Sequence, residues 1–231
     1  MTKDAYLFSK RYFQPEGESH YSDISDQVRI KKTIQLIGNN KKVLDVGCYE
    51  GIIAEKIKNN GNVVYGIDAS EEAIKAAVGR GIKAVSANIE SRFPYEDNQF
   101  DAVVAGEVFE HVLDTDVLLR EISRVLKDGG TLVISTPNTA SLGRRLMLLF
   151  GKNAYFEASF SHPNNAVGHI RFFTKNLLID FLEKNNYTVD LFTSDVIKIS
   201  STRNLIKLCD WFPTLGRSLI IKAINKKPSI Q

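Results

Sequence analysis

The chain has 231 residues, of which 43% are hydrophobic and 25% are charged. These proportions are those of an average globular protein, and they exclude a disordered, collagen-like or coiled-coil chain. Thirty basic and 27 acidic residues give a net charge of +3, which is too small to indicate DNA or another nucleic acid as a partner.

Residues 1–40 are predicted to form an N-terminal helical segment that serves as a lid. Apolar residues recur at a roughly helical spacing over Asp26–Ile37, and the sequence Gly38-Asn39-Asn40 is a typical stop signal. Aromatic residues in the preceding stretch suit either a lid or packed surface: Tyr6, Phe8, Tyr12 and Phe13.

From residue 41 onward, short apolar runs alternate with amphipathic stretches. The runs predict strands at Val43–Val46, Val63–Ile67, Ile82–Ala87, Phe100–Ala105 and Thr131–Ser135. Helices are predicted at Ile52–Asn59, at Glu71–Val78 with Ser70 as N-cap, and from Asp114 or Thr115 to Leu126, closed by Asp128-Gly129-Gly130. Apolar strands separated by helices indicate a parallel sheet covered on both faces. The predicted fold class is therefore α/β, doubly wound.

The alternation stops after Pro137, so residues 138–170 are interpreted as an insertion in a single domain that spans 41–231. The insertion contains the basic, apolar stretch Arg144–Phe150 and the histidines His162 and His169. The predicted elements after it are a helix Asn176–Lys184 capped by Thr174, strands Tyr187–Ile199 and Ser218–Ile224, and a helical segment around Trp211 between those strands.

A strand that runs into a glycine loop marks the first candidate site. The strand carries Asp45, and Gly47 and Gly51 lie in the loop that opens the next helix. Glycines allow a close approach of backbone to ligand, and a helix N-terminus favours negative charge. The second strand ends in Asp68, where an acid is placed to accept hydrogen bonds from a ribose diol. Together these features predict a nucleoside site, although the glycine turn alone is equally typical of helix–strand packing.

The ligand is not expected to be a dinucleotide. The dinucleotide fingerprint is G-x-G-x-x-G, whereas this loop has only Gly47 and Gly51. Asp45, next to the loop, would repel a pyrophosphate. The same carboxylate suits a cationic or amino-bearing ligand.

The motifs taken together resemble those of class I S-adenosylmethionine (SAM)-dependent methyltransferases. The segments that carry the resemblance are Val43–Gly51, Tyr65–Ala69, Ser86–Glu90, Phe100–Val104 and Arg124–Leu132. They follow the order and approximate spacing of the family over residues 43–137. The resemblance implies a Rossmann-like seven-stranded sheet of order 3-2-1-4-5-7-6, with the last strand antiparallel.

The resemblance also implies roles for individual residues toward SAM. Asp68 is expected at the ribose, Gly47 and Gly51 at the methionine side, and Ala69, Asn88 and Ile89 at the adenine. The other expected cofactor contacts are Asp45, Cys48, Tyr49, Gly106 and Glu107. Two positions depart from the family: Tyr49 replaces a usual glycine, and Asn88 replaces a common Asp. An amide oxygen still accepts a hydrogen bond from an amine, so neither change argues against SAM.

The turn after the fourth strand carries the candidate catalytic residues. Glu107, Glu110 and His111 are expected on one side of a short helical turn. Three interpretations stay open: the residues shape the pocket, His111 is a general base for a hydroxyl acceptor, or a divalent metal is bound with His162 or His169 as a further ligand. The Glu-x-x-Glu-His pattern resembles that of ubiquinone-pathway O-methyltransferases and small-RNA 2′-O-methyltransferases. The sequence alone does not decide whether a metal is bound.

The predicted function is methyl transfer from SAM to a small-molecule, glycan or lipid-linked acceptor at a hydroxyl. The stretch Gly168–Thr174 resembles methyltransferases associated with cell-surface sugars and quinone-type precursors. Arg144–Phe150 is either a cap helix or a surface for an anionic or lipid-linked acceptor, with peripheral membrane contact. The alternatives are a non-catalytic SAM-binding regulatory or partner protein and an RNA methyltransferase. The RNA alternative is less favoured because Lys and Arg are spread along the chain.

Cysteine content and hydrophobicity favour a cytoplasmic location. Cys48 and Cys209 are too few for a disulfide framework and lack C-x-x-C spacing. The N-terminus shows no apolar stretch typical of a secretory signal. No apolar run approaches the roughly 20 residues that span a bilayer, so no transmembrane segment is expected.

Overall fold

A computed structural model describes residues 21, 23–154, 168–198 and 204–227. The strands in chain order are β1 (Lys42–Val46), β2 (Val63–Asp68), β3 (Lys83–Ser86), β4 (Phe100–Gly106), β5 (Leu126–Pro137), β6 (Tyr187–Ser194), β7 (Ile197–Lys198), β8 (Asn204–Leu205) and β9 (Ser218–Asn225). The short strands β7 and β8 pair with each other, and the other seven form one sheet.

The strand order of the large sheet is β3-β2-β1-β4-β5-β9-β6. Strands β1 to β5 are parallel, and β9 is antiparallel to both of its neighbours, β5 and β6. Because β9 is the seventh strand of this sheet in chain order, the predicted order 3-2-1-4-5-7-6 is confirmed. The order reverses between β1 and β4, and ligands of open α/β sheets bind at the carboxyl ends of strands at such a reversal.

The helices in chain order are α1 (Ile24–Ile37), α2 (Ile52–Asn59), α3 (Glu71–Gly79), α4 (Thr115–Val125), α5 (Leu142–Leu149), α6 (Lys175–Lys184) and α7 (Ile206–Trp211). The side chains of Ser70, Asp114 and Thr174 each accept a hydrogen bond from an N–H of the helix that follows. The predicted N-caps Ser70 and Thr174 are confirmed, and of the two possible starts Asp114 and Thr115, Asp114 is the N-cap. None of the described helices is long and apolar enough to cross a bilayer.

The sheet is covered on both faces, as fully apolar strands require. On one face, residues of α4 and α6 such as Leu118, Ile122 and Leu178 pack against the strands in the larger core cluster. On the other face, residues of α1, α2 and α3 form a second cluster with the strands: Ile37, Ala54, Ile57 and Ala77. The carboxyl ends of the central strands therefore lie at one edge of the sheet, between the two layers of helices.

Helix α1 lies on the sheet itself, where it contacts β5 and β9. It ends at Gly38, which has a φ of +79°, so the predicted stop signal is confirmed. The division of the chain into a lid of residues 1–40, a domain of 41–231 and an insertion of 138–170 stays a prediction. The aromatic residues assigned to the lid and the histidine at 162 lie outside the described residues.

Two predicted element boundaries were wrong. Helix α4 ends at Val125 rather than at the glycines, because Leu126 already pairs with Phe100 of β4. The next paired residue is Thr131, opposite Ala102, so the intervening residues form a bulge inside β5. A side chain at Gly130 would place its Cβ 2.8 Å from the carbonyl oxygen of Lys127, which explains the glycine there.

The predicted strand Tyr187–Ile199 is interrupted at Asp195. This buried carboxylate accepts hydrogen bonds from the N–H of Ser218 at 2.9 Å and from the hydroxyl of Ser194 at 3.2 Å. It also accepts a short hydrogen bond from the hydroxyl of Ser25 in α1. These contacts join α1 to the sheet. The strand is interrupted at Asp195 because its side chain is needed for these contacts.

Candidate active site

The glycine loop after β1 wraps around the carboxylate of Asp68, at the end of β2. The N–H groups of Tyr49 and Ser70 donate to its two oxygens at 3.1 and 2.9 Å. Burial raises the pKa of Asp68, and these N–H bonds oppose the rise. Each carboxylate oxygen has two lone pairs, so both retain capacity for a further donor such as a ribose hydroxyl.

The loop has three residues in the left-handed region, Gly47, Tyr49 and Gly51, with φ of +70°, +46° and +76°. A Cβ at Gly47 would lie 2.6 Å from a methyl of Val108, and one at Gly51 would lie 2.9 Å from the Cβ of Ala77. Both glycines are therefore required by packing as well as by backbone conformation. Tyr49 adopts a conformation that costs a non-glycine residue about 1–2 kcal/mol, which accounts for the family's usual glycine.

Cys48 directs its side chain into the sheet. The thiol is free and buried, and a Cβ at Gly66 would lie 2.6 Å from its sulfur. Cys209 is also free and buried. A cofactor contact by Cys48 therefore has to come from its backbone.

The residues expected at an adenine lie at the carboxyl ends of β2 and β3. The N–H of Ala87 donates to the carbonyl of Asp68 at 2.9 Å, which joins the two strand ends. The Oδ1 of Asn88 accepts from the N–H of Glu90 at 2.9 Å, and Ile89 packs against the larger core cluster. Ala69 is half-buried next to Asp68. These side chains thus lie on the same side of the loop as Asp68.

A cavity of about 40 Å³ lies at the carboxyl ends of β1 and β4. Its lining includes Asp45 and Gly47 from the loop strand, Gly106 and Ser135 from β4 and β5, and Arg29 from α1. Burial, together with the negative charge of Asp68, raises the pKa of Asp45 to about 8. The cavity therefore has a carboxyl group and a guanidinium in its wall.

Arg29 is a candidate residue that the sequence reasoning missed. It is 6% exposed, and its guanidinium lies 2.8 Å from Asp26, 3.4 Å from the hydroxyl of Ser135 and 3.8 Å from Glu107. Burial alone would lower its pKa, but the charges of Glu107 and Asp26 outweigh this effect and raise it. The available signal was its place on the buried face of α1, four residues before Thr33.

Glu107 faces Arg29 rather than the histidines. It has a φ of +56°, and its N–H donates to the carbonyl of Ser135 at 2.9 Å. Burial raises the pKa of its carboxyl group, and Arg29 opposes the rise. Glu107 has no ligand atom in the group formed by Glu110, His111 and His169, although its charge acts on Glu110.

Glu110, His111 and His169 form the second cluster of the site. One nitrogen or oxygen atom from each lies within 4.8 Å of the others. Glu110 is buried, and one of its oxygens accepts from the hydroxyl of Thr136 at 2.9 Å, whereas the other has no hydrogen-bond partner among the described residues. Burial and the charge of Glu107 raise the pKa of Glu110. Burial lowers the pKa of His111, which favours a neutral imidazole.

The segment that carries His169 is joined to this turn by hydrogen bonds. The N–H groups of Ile170 and Arg171 donate to the carbonyl of Glu110 at 2.9 and 3.2 Å. The guanidinium of Arg171 donates to the carbonyl of Val112 at 2.8 Å. These bonds fix His169 beside His111 although the two residues are far apart in the sequence.

Comparison with known proteins places these features in a family. A family model described as "Methyltransferase domain" matches residues 24–191. The chain is 32% identical over 157 residues to the mitochondrial ubiquinone biosynthesis O-methyltransferase of Homo sapiens, a match that covers 64% of this chain and 42% of that protein. It is 33% identical over 140 residues to the ubiquinone biosynthesis O-methyltransferase of Idiomarina loihiensis, covering 56% and 57%. The chain thus spans about half the length of these relatives.

The fold is also shared with solved structures. A SAM-dependent methyltransferase of Thermotoga maritima superposes with a TM-score of 0.67 over 96% of this chain and 100% of that one. The two sequences are 18% identical, so this likeness establishes the fold alone.

Proposed function

The chain belongs to the class I SAM-dependent methyltransferases, and from this premise we propose that it methylates a hydroxyl of a small-molecule acceptor. The observation that carries the proposal is the cluster of Glu110, His111 and His169 at the carboxyl end of β4, next to the cavity lined by Asp45. Such a cluster suits the activation of a hydroxyl. The names of the two O-methyltransferase relatives support the same chemistry.

The charges of the cavity support a defined orientation of SAM. The methionine end of SAM is a zwitterion, and the cavity has the guanidinium of Arg29 and the carboxyl group of Asp45 in its wall. We assign Arg29 to the carboxylate and Asp45 to the amino group. Asp68 then holds the ribose hydroxyls, and Ala69, Asn88 and Ile89 border the adenine.

Bound in this way, SAM supplies an electrophilic methyl group on a sulfonium. Much of the rate of such a displacement comes from proximity and orientation of the two reactants. Glu107 contributes by holding the guanidinium of Arg29 in place, 3.8 Å from its carboxylate. The turn from Glu107 to His111 carries the acceptor-side groups, and the bonds from Ile170 and Arg171 hold it still.

The residues at the acceptor side fit a divalent ion. Glu110 has a buried oxygen without a described partner, and the ligand atoms of His111 and His169 lie within 4.8 Å of a Glu110 oxygen. Imidazole nitrogen and carboxylate oxygen form a reasonable donor set for such an ion. A bound divalent ion would lower the pKa of an acceptor hydroxyl. Without an ion, His111 is the group that accepts the hydroxyl proton, since the lowered pKa keeps its imidazole neutral.

A binding and transfer assay tests the proposal. Isothermal titration with SAM and its demethylated product measures binding, and tritium transfer from labelled SAM is then screened over catechol, sugar, amine and RNA acceptors. We expect binding of both nucleosides and transfer to a small hydroxyl acceptor. Binding without transfer to any acceptor would favour a non-catalytic SAM-binding protein. Transfer to RNA alone would favour the RNA methyltransferase alternative.

A further inference from the structure

Helix α5 buries none of its residues, although five of the eight are apolar. Helices of globular proteins normally bury their apolar stripe against a core. Here Leu149 is 75% exposed and the following residue, Phe150, is 73% exposed. The helix contacts β7, and the guanidinium of Arg145 reaches the carbonyl of Thr214 at 3.4 Å. It is therefore attached to the domain while its apolar side chains face outward.

Helix α7 contacts the same short strand β7 and is similarly exposed. Only Cys209 of this helix is buried, and Trp211 is 82% exposed. We use the name α5–α7 surface for the exposed apolar side chains of the two helices and the residues after them: Leu146, Leu148, Leu149, Phe150, Ile206, Leu208, Trp211 and Phe212. A surface with this many large apolar side chains marks an interaction site rather than ordinary exposure.

The charge around this surface is positive. The sequence has no acidic residue from 129 to 156 or from 196 to 209, the two stretches that contain α5 and most of α7. Arg145, Lys152 and Lys207 are exposed cations within them. The acid of α7, Asp210, lies 2.6 Å from the ammonium of Lys32. The cations that border the apolar side chains thus have no acidic residue within the same stretches of sequence.

We propose that the α5–α7 surface docks on a lipid bilayer with anionic headgroups. Amphipathic helices that combine Leu, Phe and Trp with basic residues bind in the plane of such interfaces, and Trp is enriched there. The cations attract the headgroups, and the apolar side chains enter the acyl boundary. Helix α5 starts five residues after the end of β5, the strand whose Thr136 donates to Glu110. The inference goes beyond the proposed function and does not depend on the acceptor.

Vesicle co-sedimentation of the full chain tests this surface. The probes are vesicles of phosphatidylcholine alone and of phosphatidylcholine mixed with phosphatidylglycerol. We expect binding to the mixed vesicles and little to the neutral ones, with a decrease at high salt. The double variant Lys152→Glu/Lys207→Glu should weaken partitioning at least about tenfold, given about fivefold for each lost cation. The double variant Leu149→Ser/Trp211→Ser should also weaken partitioning at least about tenfold, because two large apolar side chains no longer enter the acyl boundary.

Matched controls come from the opposite edge of the sheet. Val63 in β2 and Val78 in α3 are 52% and 53% exposed, and Lys56 and Lys75 are exposed lysines on α2 and α3. The variants Val63→Ser/Val78→Ser and Lys56→Glu/Lys75→Glu should bind mixed vesicles as the parent chain does. Equal binding to neutral and anionic vesicles, or equal loss in surface and control variants, would overturn the proposal. So would a dimer in solution that Leu149→Ser/Trp211→Ser dissociates, because the surface would then bind a second copy. SAM binding is measured in every variant. If it is unchanged while vesicle binding contradicts the proposal, the membrane inference has failed and the proposed function has not.

Discussion

The rings of His111 and His169 meet edge to face, with their centroids 4.7 Å apart and an interplanar angle of 71°. His111 ends the short turn after β4, and His169 lies in the segment before α6. The N–H of Ile170, next to His169, donates to the carbonyl of Glu110, next to His111. Two parts of the chain are thereby held together, with ligand atoms of Glu110, His111 and His169 within 4.8 Å of one another. This arrangement suits a metal ion or a proton transfer.

The first prediction separates the metal from the general base. If a divalent ion activates the acceptor, EDTA should abolish methyl transfer and added Mg²⁺ or Mn²⁺ should restore it. His111→Ala and His169→Ala should then lose activity alike, since both remove a ligand. The measurement is the transfer rate at saturating SAM, with SAM affinity as the control for folding.

The general base gives a different result in the same assay. Chelation should then change nothing, and His111→Ala alone should lower the rate by roughly 10²–10⁴-fold. Full activity in His111→Ala, with and without chelator, would contradict both mechanisms. Positioning of SAM and acceptor would then be the whole contribution of the site.

The second prediction concerns the ribose. Asp68→Ala removes two charge-assisted hydrogen bonds to the ribose hydroxyls, each worth roughly 1.5–3 kcal/mol, so SAM affinity should fall at least about tenfold. Titration calorimetry measures the affinity, and thermal unfolding checks the fold. Asp190→Ala is the matched control, because Asp190 pairs with Lys222 at the edge strand β6. An unchanged affinity in folded Asp68→Ala would remove the ribose assignment.

The third prediction concerns Arg29. Arg29→Met should weaken SAM binding at least about tenfold, because a charged hydrogen bond to the carboxylate is lost. Binding of 5′-methylthioadenosine, which lacks the amino-acid end, should stay the same. Arg29→Lys should retain part of the SAM affinity because it keeps the charge but not the planar fork.

Arg80→Met is the control for removing an arginine from an ion pair, since Arg80 lies 2.9 Å from Glu55 on the other side of α2 and α3. Equal weakening of SAM and 5′-methylthioadenosine by Arg29→Met would show that Arg29 acts on the cavity as a whole. The carboxylate assignment would then be wrong.

The sheet could be predicted from the sequence because its signals are local. Val43–Val46 is apolar except for Asp45, and Val63–Ile67 carries no charge, a pattern that is typical of strands in a covered parallel sheet. Ser70 and Asp114 mark the starts of their helices, because their side chains cap N–H groups of the first turn. Asp68 could be selected as a candidate because it stands at a strand end, where ligands of such sheets bind. Each of these inferences needs only a few neighbouring residues.

The missed features depend on contacts between distant parts of the chain. In the sequence, Arg29 is one polar residue of an amphipathic helix. It becomes a candidate site residue only when the structure brings Glu107 and Ser135 beside it. Glu107 adopts a left-handed backbone conformation that its residue type does not predict, and the group of possible metal ligands contains Glu110, His111 and His169 without it. The break at Asp195 likewise depends on Ser25 and Ser218 from other elements.

The last prediction concerns pH and the stability of the free protein. The pKa of Asp45 is raised from 3.8 to about 8 in the folded chain, so the folded state binds a proton more readily than the unfolded state does. Its contribution to stability is therefore complete below about pH 4 and is lost as the pH rises through about 8. Between these values it should reduce the free energy of unfolding by ~1.4 kcal/mol per pH unit. Urea unfolding of Asp45→Asn should lack this slope.

The same carboxyl group should release a proton when SAM binds. The ammonium of the methionine end favours the ionised carboxylate, so bound SAM should lower the pKa of Asp45 below the working pH. Titrations at pH 7 in phosphate and in Tris should then give binding enthalpies that differ by the ionisation heats of the buffers. In Asp45→Asn the two buffers should agree, while Asp190→Asn should behave as the parent chain. Equal enthalpies in the parent chain would place the amino group of SAM away from Asp45, and the orientation assigned to the cofactor would have to be reversed or abandoned.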